Sequence, residues 1–185
     1  VAWSRLAPSA LRASLPDSSW LGAQTTRLWN RVRFAVFGQV TEDVVVSLPD
    51  AAGRQDLFYR IALEAMAWPR EVREPEKVGW GAAYIRRYVQ SLGMELVVVL
   101  IPDKESVYRE LIPSGPGRDP ERWPPSTLVD VEQALRDEGV PVVNLLPAFR
   151  DLAGRGASLY WRDDTHWRPE AMEVAAELTA PVVRA

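Results

Sequence analysis

The only histidine, His166, sits in the run Tyr160-Trp-Arg-Asp-Asp-Thr-His-Trp-Arg-Pro-Glu170, with Asp164 two residues before it and Asp163 three before. An imidazole beside a carboxylate is the acid/base half of a nucleophilic triad. The carboxylate fixes the tautomer and stabilises the imidazolium that forms when the ring takes a hydroxyl proton. An unperturbed pKa of about 6.5 lets histidine take that proton near neutrality and return it to a leaving group. A surface histidine beside two solvated aspartates has the same spacing, so spacing alone leaves both readings open. One His and no Cys would force a zinc site onto an otherwise all-carboxylate shell, and they exclude thiolate catalysis and disulfide partners. Neither a metal nor a cofactor is expected.

Elements must hold this loop in place, and the sequence marks several. Leu28, Val32 and Val36 recur at helical spacing between Leu21 and Phe37, with Gly38 as a stop. A β-branched run at 43–49, a turn at Asp50–Gly53 and the apolar segment from Leu57 read as a hairpin at the edge of the domain. Ala82, Ile85, Val89 and Leu92 predict a helix over 79–93 that ends at Gly93. Glu95–Ile101 is an almost unbroken apolar run, the pattern of a parallel strand buried on both faces, and Pro102 ends it. Lys104–Leu111 reads as a helix, and 113–125 as a loop dense in Pro and Gly. Thr127 and Asp130 resemble a capping pair for a helix through Glu138, stopped by Gly139, with a second buried strand following at 140–146. Strand, helices, strand implies a right-handed crossover. A helical turn at 147–156 and a short strand at 158–161 follow, and Pro169 opens a last helix over 169–180 at the position where proline is tolerated. The Asp-Asp-Thr-His segment thus falls between a strand end and a helix start, where open α/β sheets bind ligands.

Composition sets wider limits. The 185 residues carry 22 Lys plus Arg against 25 Asp plus Glu, a formal charge of −3, which leaves no basic surplus for nucleic acid. The expectation is one domain over 1–185, with an irregular arm over 1–20. No run reaches the roughly 18 apolar residues of a membrane span, and the N-terminus lacks a signal-peptide layout. The chain as it stands reads as soluble, with any export signal or anchor outside these residues. Eight Trp are many for this length and call for a reason.

Those motifs resemble the alginate O-acetyltransferase family, whose members carry an SGNH-hydrolase-like domain and O-acetylate exopolysaccharide or peptidoglycan. The block Tyr160–Trp167 followed by Pro169-Glu170 is similar to the family's D-x-H-W block, which implies Asp164, rather than Asp163, as the partner of His166. Leu96–Tyr108 resembles the family's strand ending in a P-x-K turn and an aromatic, and the strand before the triad block fits too. At 44–59 the chain keeps Leu57, Phe58 and Tyr59 but lacks a Trp and a Gly usual there. The resemblance implies an α/β, three-layer SGNH-hydrolase-like domain with a mainly parallel central sheet, incomplete at its C-terminal end. It also implies ping-pong acetyl transfer to a glycan hydroxyl, a membrane-bound acetyl-donating partner, and a periplasmic or other extracytoplasmic setting, with any membrane association through a segment outside these residues.

The family's nucleophilic serine lies in a G-D-S motif downstream of the D-x-H block, and no G-D-S occurs in this chain. Nor is there a G-x-S-x-G elbow. The nucleophile is therefore expected outside these residues, or the chain has none. Ser18, in Leu-Pro-Asp-Ser-Ser-Trp20, is an internal substitute that reads better as a helix N-cap. Lys104, Tyr108, Trp123 and Trp167 are the candidate sugar contacts, with Trp161 a further ring that could stack on a pyranose face and Arg118 and Arg122 available to an acidic polysaccharide. Turn fixing and buried packing compete with those roles. Two functions follow: an O-acetyltransferase or acetylesterase acting through Asp164 and His166, or a non-catalytic carbohydrate-binding or assembly protein of an exopolysaccharide acetylation complex. A small esterase using Ser18 is a third.

Overall fold

The computed structural model describes residues 43–50, 52–113 and 127–184, with helical backbone also at positions 24, 28, 29, 31 and 32. The chain divides into two compact units, Val1–Val44 and Val45–Ala185. In the first, the five helical positions fall inside the helix expected over 21–37, and Leu28 and Val32 are exposed rather than buried.

The first strands are β1 (Val44–Val46) and β2 (Leu57–Tyr59), neighbours in a two-stranded sheet, as the hairpin reading anticipated. The turn between them closes on Asp50, whose Oδ1 accepts the backbone N–H groups of Ala52 and Arg54 at 2.9 and 2.8 Å. Gly53 takes the left-handed φ of +73° that this turn requires. After β2 come α1 (Arg60–Met66), the single turn α2 (Arg70–Arg73) and α3 (Pro75–Ser91), which begins four residues earlier than the periodicity placed it because Pro75 suits a first helical position. Then follow β3 (Val98–Leu100), α4 (Lys104–Val107), a 3₁₀ turn at Arg109–Leu111, α5 (Thr127–Asp137), β4 (Val142–Asn144), α6 (Leu146–Gly154) and α7 (Pro169–Arg184). The last helix passes the expected end at Ala180 and carries Pro181 within it.

Two glycines aim the central strands. Gly93 after α3 and Gly139 after α5 both adopt positive φ, and the following amides, Met94 and Val140, each bond back into the helix at Val89 and Leu135 over 3.0 and 2.9 Å. The chain then runs into β3 and β4, which pair in parallel with Val98 opposite Val142 and Leu100 opposite Asn144. Alternation divides β3 between two apolar clusters. Leu96, Val98 and Leu100 pack with Ala83, Val131, Leu135 and Val140 toward α3 and α5, whereas Val97 and Val99 join the larger core of Val143, Leu145, Phe149 and Tyr160.

The α/β class is as expected, but the sheet is smaller than the resemblance implied. Among the described residues there are two two-stranded sheets, and parallel pairing is confined to β3 and β4. β3 is only partly buried, and Ile101 beyond it is 49% exposed. Lys104–Leu111 is likewise not one helix: the backbone breaks at Tyr108 between α4 and the 3₁₀ turn. Thr127 and Asp130, expected to cap α5, both meet Arg73, at 3.0 Å each. No helix of the described residues is long and apolar enough to cross a membrane.

Candidate active site

The Asp-Asp-Thr-His segment is a loop pinched at its stem. Tyr160 and Trp167 form an isolated antiparallel bridge. Inside it the Trp161 N–H donates to the His166 carbonyl at 3.1 Å, and outside it the Arg168 N–H donates to the Leu159 carbonyl at 2.8 Å. The loop tip is organised by Asp164, whose Oδ1 accepts the N–H of Thr165 at 2.6 Å and that of His166 at 3.3 Å. The same oxygen lies 2.7 Å from His166 Nδ1.

That contact fixes the chemistry available to the ring. The His166 hydrogen bond, foremost among the influences, holds the Asp164 carboxyl below its ordinary value, so it is ionised at neutral pH and can only accept. Nδ1 therefore carries the proton, and in the neutral ring Nε2 keeps a free lone pair. Both side chains are open to solvent, His166 at 78% and Asp164 at 50%. An exposed base with its second nitrogen free can receive a proton from an incoming hydroxyl.

Beneath the loop, Lys104 holds it from inside the protein. Its side chain is fully buried, yet Nζ reaches the carbonyl oxygens of Trp161 at 2.7 Å, Arg162 at 2.9 Å, Leu57 at 3.2 Å and Asp164 at 3.4 Å. Asp56 Oδ1 neutralises it at 3.1 Å, and the Phe58 ring lies 5.7 Å from the ammonium. Burial pushes the Lys104 pKa down, while the Asp56 charge opposes that shift. Asp56 Oδ2 also takes Arg162 Nη1 at 3.1 Å, and Arg162 Nη2 reaches Asp50 Oδ2 at 2.9 Å. One charge chain thus ties the turn after β1, the entry to β2, the start of α4 and the His166 loop.

Lys104 and Tyr108, expected among the sugar contacts, turn their polar ends inward. Every Lys104 donor is taken by the loop and Asp56. The Tyr108 hydroxyl accepts the Leu159 N–H at 2.8 Å, stands 3.4 Å from the Ala157 carbonyl and is buried. Both fix the chain leading into the loop. Trp123, with Arg118 and Arg122, lies outside the described residues, as does Ser18. Trp167 is partly buried against Phe149, with ring centroids 6.5 Å apart, and Trp161 is exposed with the Arg168 guanidinium 4.9 Å over its ring.

His166 and Trp167 line a cleft of about 370 Å³ with Tyr59, Asp103, Tyr160 and Thr165. No serine lines it. Its floor is set by Glu105, whose Oε1 accepts the Tyr59 N–H at 2.6 Å, and by the Tyr160 hydroxyl, which donates to the Pro102 carbonyl. Sequence reasoning did not single out Asp56, Arg162, Asp103 or Glu105. The one signal was their position: Asp56 abuts Leu-Phe-Tyr, and Asp103 and Glu105 flank Lys104 at the end of an apolar strand, where charge is rarely idle.

A sequence profile described as an SGNH hydrolase-like domain of the acetyltransferase AlgX matches residues 55–185. Among solved structures the chain is similar to the O-acetyltransferase domain of Pseudomonas putida AlgJ, with 24% identity and a TM-score of 0.54. That alignment covers 76% of this chain and 47% of the other, so the chain spans under half the length of that structure. A search of curated proteins gives no match.

Proposed function

The chain belongs to the family of AlgX-type SGNH hydrolase-like acetyltransferase domains, and from that premise we propose that it moves acetyl groups to or from hydroxyls of a polysaccharide, with Asp164 and His166 as the acid/base pair. The observation that carries this reading is the 2.7 Å contact from Asp164 Oδ1 to His166 Nδ1 at the mouth of the cleft, with Nε2 left free. His166 Nε2 takes the proton of the attacking hydroxyl and returns it to the leaving oxygen, and Asp164 stabilises the imidazolium between those steps. The hydroxyl that first accepts the acetyl group in a ping-pong route is a serine outside the cleft lining described. Trp167 offers a ring edge for the sugar. The setting is extracytoplasmic, with a membrane protein supplying the acetyl group.

Incubation of the chain, joined to or mixed with the polypeptide that supplies the serine, with an activated acetyl ester and glycan oligomers, followed by mass spectrometry of both, tests this. Acetyl gain on the glycan that falls roughly 10²- to 10⁴-fold in His166→Ala is the expected result. Turnover equal in the two proteins, or none in either, defeats it.

The lack of a G-D-S motif in the sequence supports a second reading, a glycan-binding or assembly protein that keeps the SGNH-like shell. Glycan binding that survives His166→Ala, with no turnover in the parent chain, would select it.

A further inference from the structure

Lys104 and Glu105, neighbours on α4 and both buried, hold two parts of the cleft lining. Lys104 carries the His166 loop. Glu105 carries the end of β2, where its Oε1 accepts the Tyr59 N–H at 2.6 Å. β2 is bonded to the loop as well: the Leu57 N–H donates to the Arg162 carbonyl at 2.7 Å, and the Leu57 carbonyl accepts from Lys104 at 3.2 Å. Tyr59 and His166 therefore belong to one hydrogen-bonded frame.

Alternation along β2 decides what Tyr59 presents. Phe58 is buried in the core, with its ring 5.7 Å from the Lys104 ammonium, so the next side chain leaves the strand on the opposite face. Tyr59 is 45% exposed and lines the cleft with His166. Tyr160 and Trp167 line it too, but the first is buried with its hydroxyl donated to the Pro102 carbonyl, and the second is packed against Phe149. Tyr59 is the most exposed of these three rings. A tyrosine ring offers a broad apolar face at the cost of ordering two χ angles, and the C–H groups of a pyranose face suit its π system.

We infer that Tyr59 is a sugar-contact residue of this cleft, the platform on which a pyranose of the acceptor glycan stacks, and that Glu105 is the positioning residue that holds the platform in fixed relation to the His166 loop. This rests on the acetyl-transfer reading above and adds a contact that binds its acceptor. The contact is made before and during transfer alike, so it acts on KM and leaves kcat to Asp164 and His166.

The probe is a β-linked mannuronate oligomer, offered as acceptor to the full chain in the transfer assay above. Tyr59→Ala should raise KM for the oligomer roughly three- to tenfold, the scale of one ring contact, with kcat changed less than about twofold. Tyr59→Phe keeps the ring and should bring KM back to within about twofold of the parent. Glu105→Met keeps the volume but removes the acceptor for the Tyr59 N–H, and should raise KM as Tyr59→Ala does, while Glu105→Gln restores it. Combined with Tyr59→Ala, Glu105→Met should add little, because it acts through the same ring. An unchanged circular dichroism spectrum verifies each fold, and the Tyr59 pair decides the inference if Glu105→Met does not fold. A KM for Tyr59→Ala less than about threefold above the parent, or no recovery in Tyr59→Phe, overturns the inference and leaves acetyl transfer standing. Absence of transfer in the parent defeats the earlier reading alone, because calorimetric titration of the full chain with the same oligomer still tests Tyr59. Affinity lost in Tyr59→Ala and kept in Tyr59→Phe supports the platform, whereas equal binding by all three, or binding by none, overturns it.

Discussion

Lys104 Nζ donates to the carbonyl oxygen of Trp161 over 2.7 Å, so a fully buried ammonium anchors the loop that carries an exposed base five residues further on. The buried anchor lies under the loop, and the exposed imidazole stands on top. A buried cation of this kind is tolerable because five oxygens, one of them a carboxylate, replace its water.

Replacing that ammonium should be costly. Lys104→Met strands three close carbonyls and leaves Asp56 partly unpaired, and a loss of about 3–5 kcal/mol in urea unfolding is expected. Lys104→Met with Asp56→Leu should lose less than the sum of the single changes, because neither charge is then left buried alone. A single-variant loss under about 1 kcal/mol would mean that the network does not hold the loop.

The pairing of Asp164 with His166 has a defined acid limit. The Asp164 carboxyl is held below its ordinary 3.8, so the contact is complete above that pH and is lost as pH falls beneath it through the folded value. The Nδ1–H resonance of the single histidine should therefore persist from neutrality down to about pH 4 and be absent in Asp164→Ala throughout. Its survival in Asp164→Ala would show that another group fixes the tautomer.

Burial acts in the opposite sense on Glu105, whose carboxyl is pushed above its ordinary 4.5. The folded protein keeps this proton longer than the unfolded chain does, so stability from this group falls as pH rises from 4.5 through the folded value. Glu105→Gln keeps an acceptor for the Tyr59 N–H and removes the slope. Unfolding compared at several pH values between 4.5 and 7 should show the variant gaining on the parent as pH rises. A constant difference across that range would refute the assignment.

Two glycines of α3 should respond with opposite signs. A Cβ at Gly79 would sit 2.6 Å from the Ala134 carbonyl oxygen of α5, whereas at Gly81 nothing lies within 4 Å. Gly81→Ala should stabilise by about 0.5–1 kcal/mol through the lower entropy of its unfolded chain. Gly79→Ala should instead destabilise by about 1–3 kcal/mol, as the two helices are forced apart. Thermal unfolding of the pair checks this, and two shifts of the same sign would contradict the close approach of α3 and α5.

Local chemistry by itself determined much of this protein. Stops at Gly93 and Gly139, proline at the start of α7, the apolar runs that became β3 and β4, and the candidate pair at Asp164 and His166 are all short-range signals, set by φ preference, proline geometry and residue spacing. The family, too, was legible in contiguous blocks. Only the tertiary structure decided what Lys104 does, because its partners stand at Asp56 and Leu57 on one side and at 161–164 on the other, 47 to 60 residues away. Sequence gives a lysine at a strand end the same appearance whether it faces a sugar or a cage of carbonyls. Sheet size was undecided for the same reason: periodicity shows which face of a strand is apolar, while the number of neighbours that cover it depends on distant chain segments meeting in space.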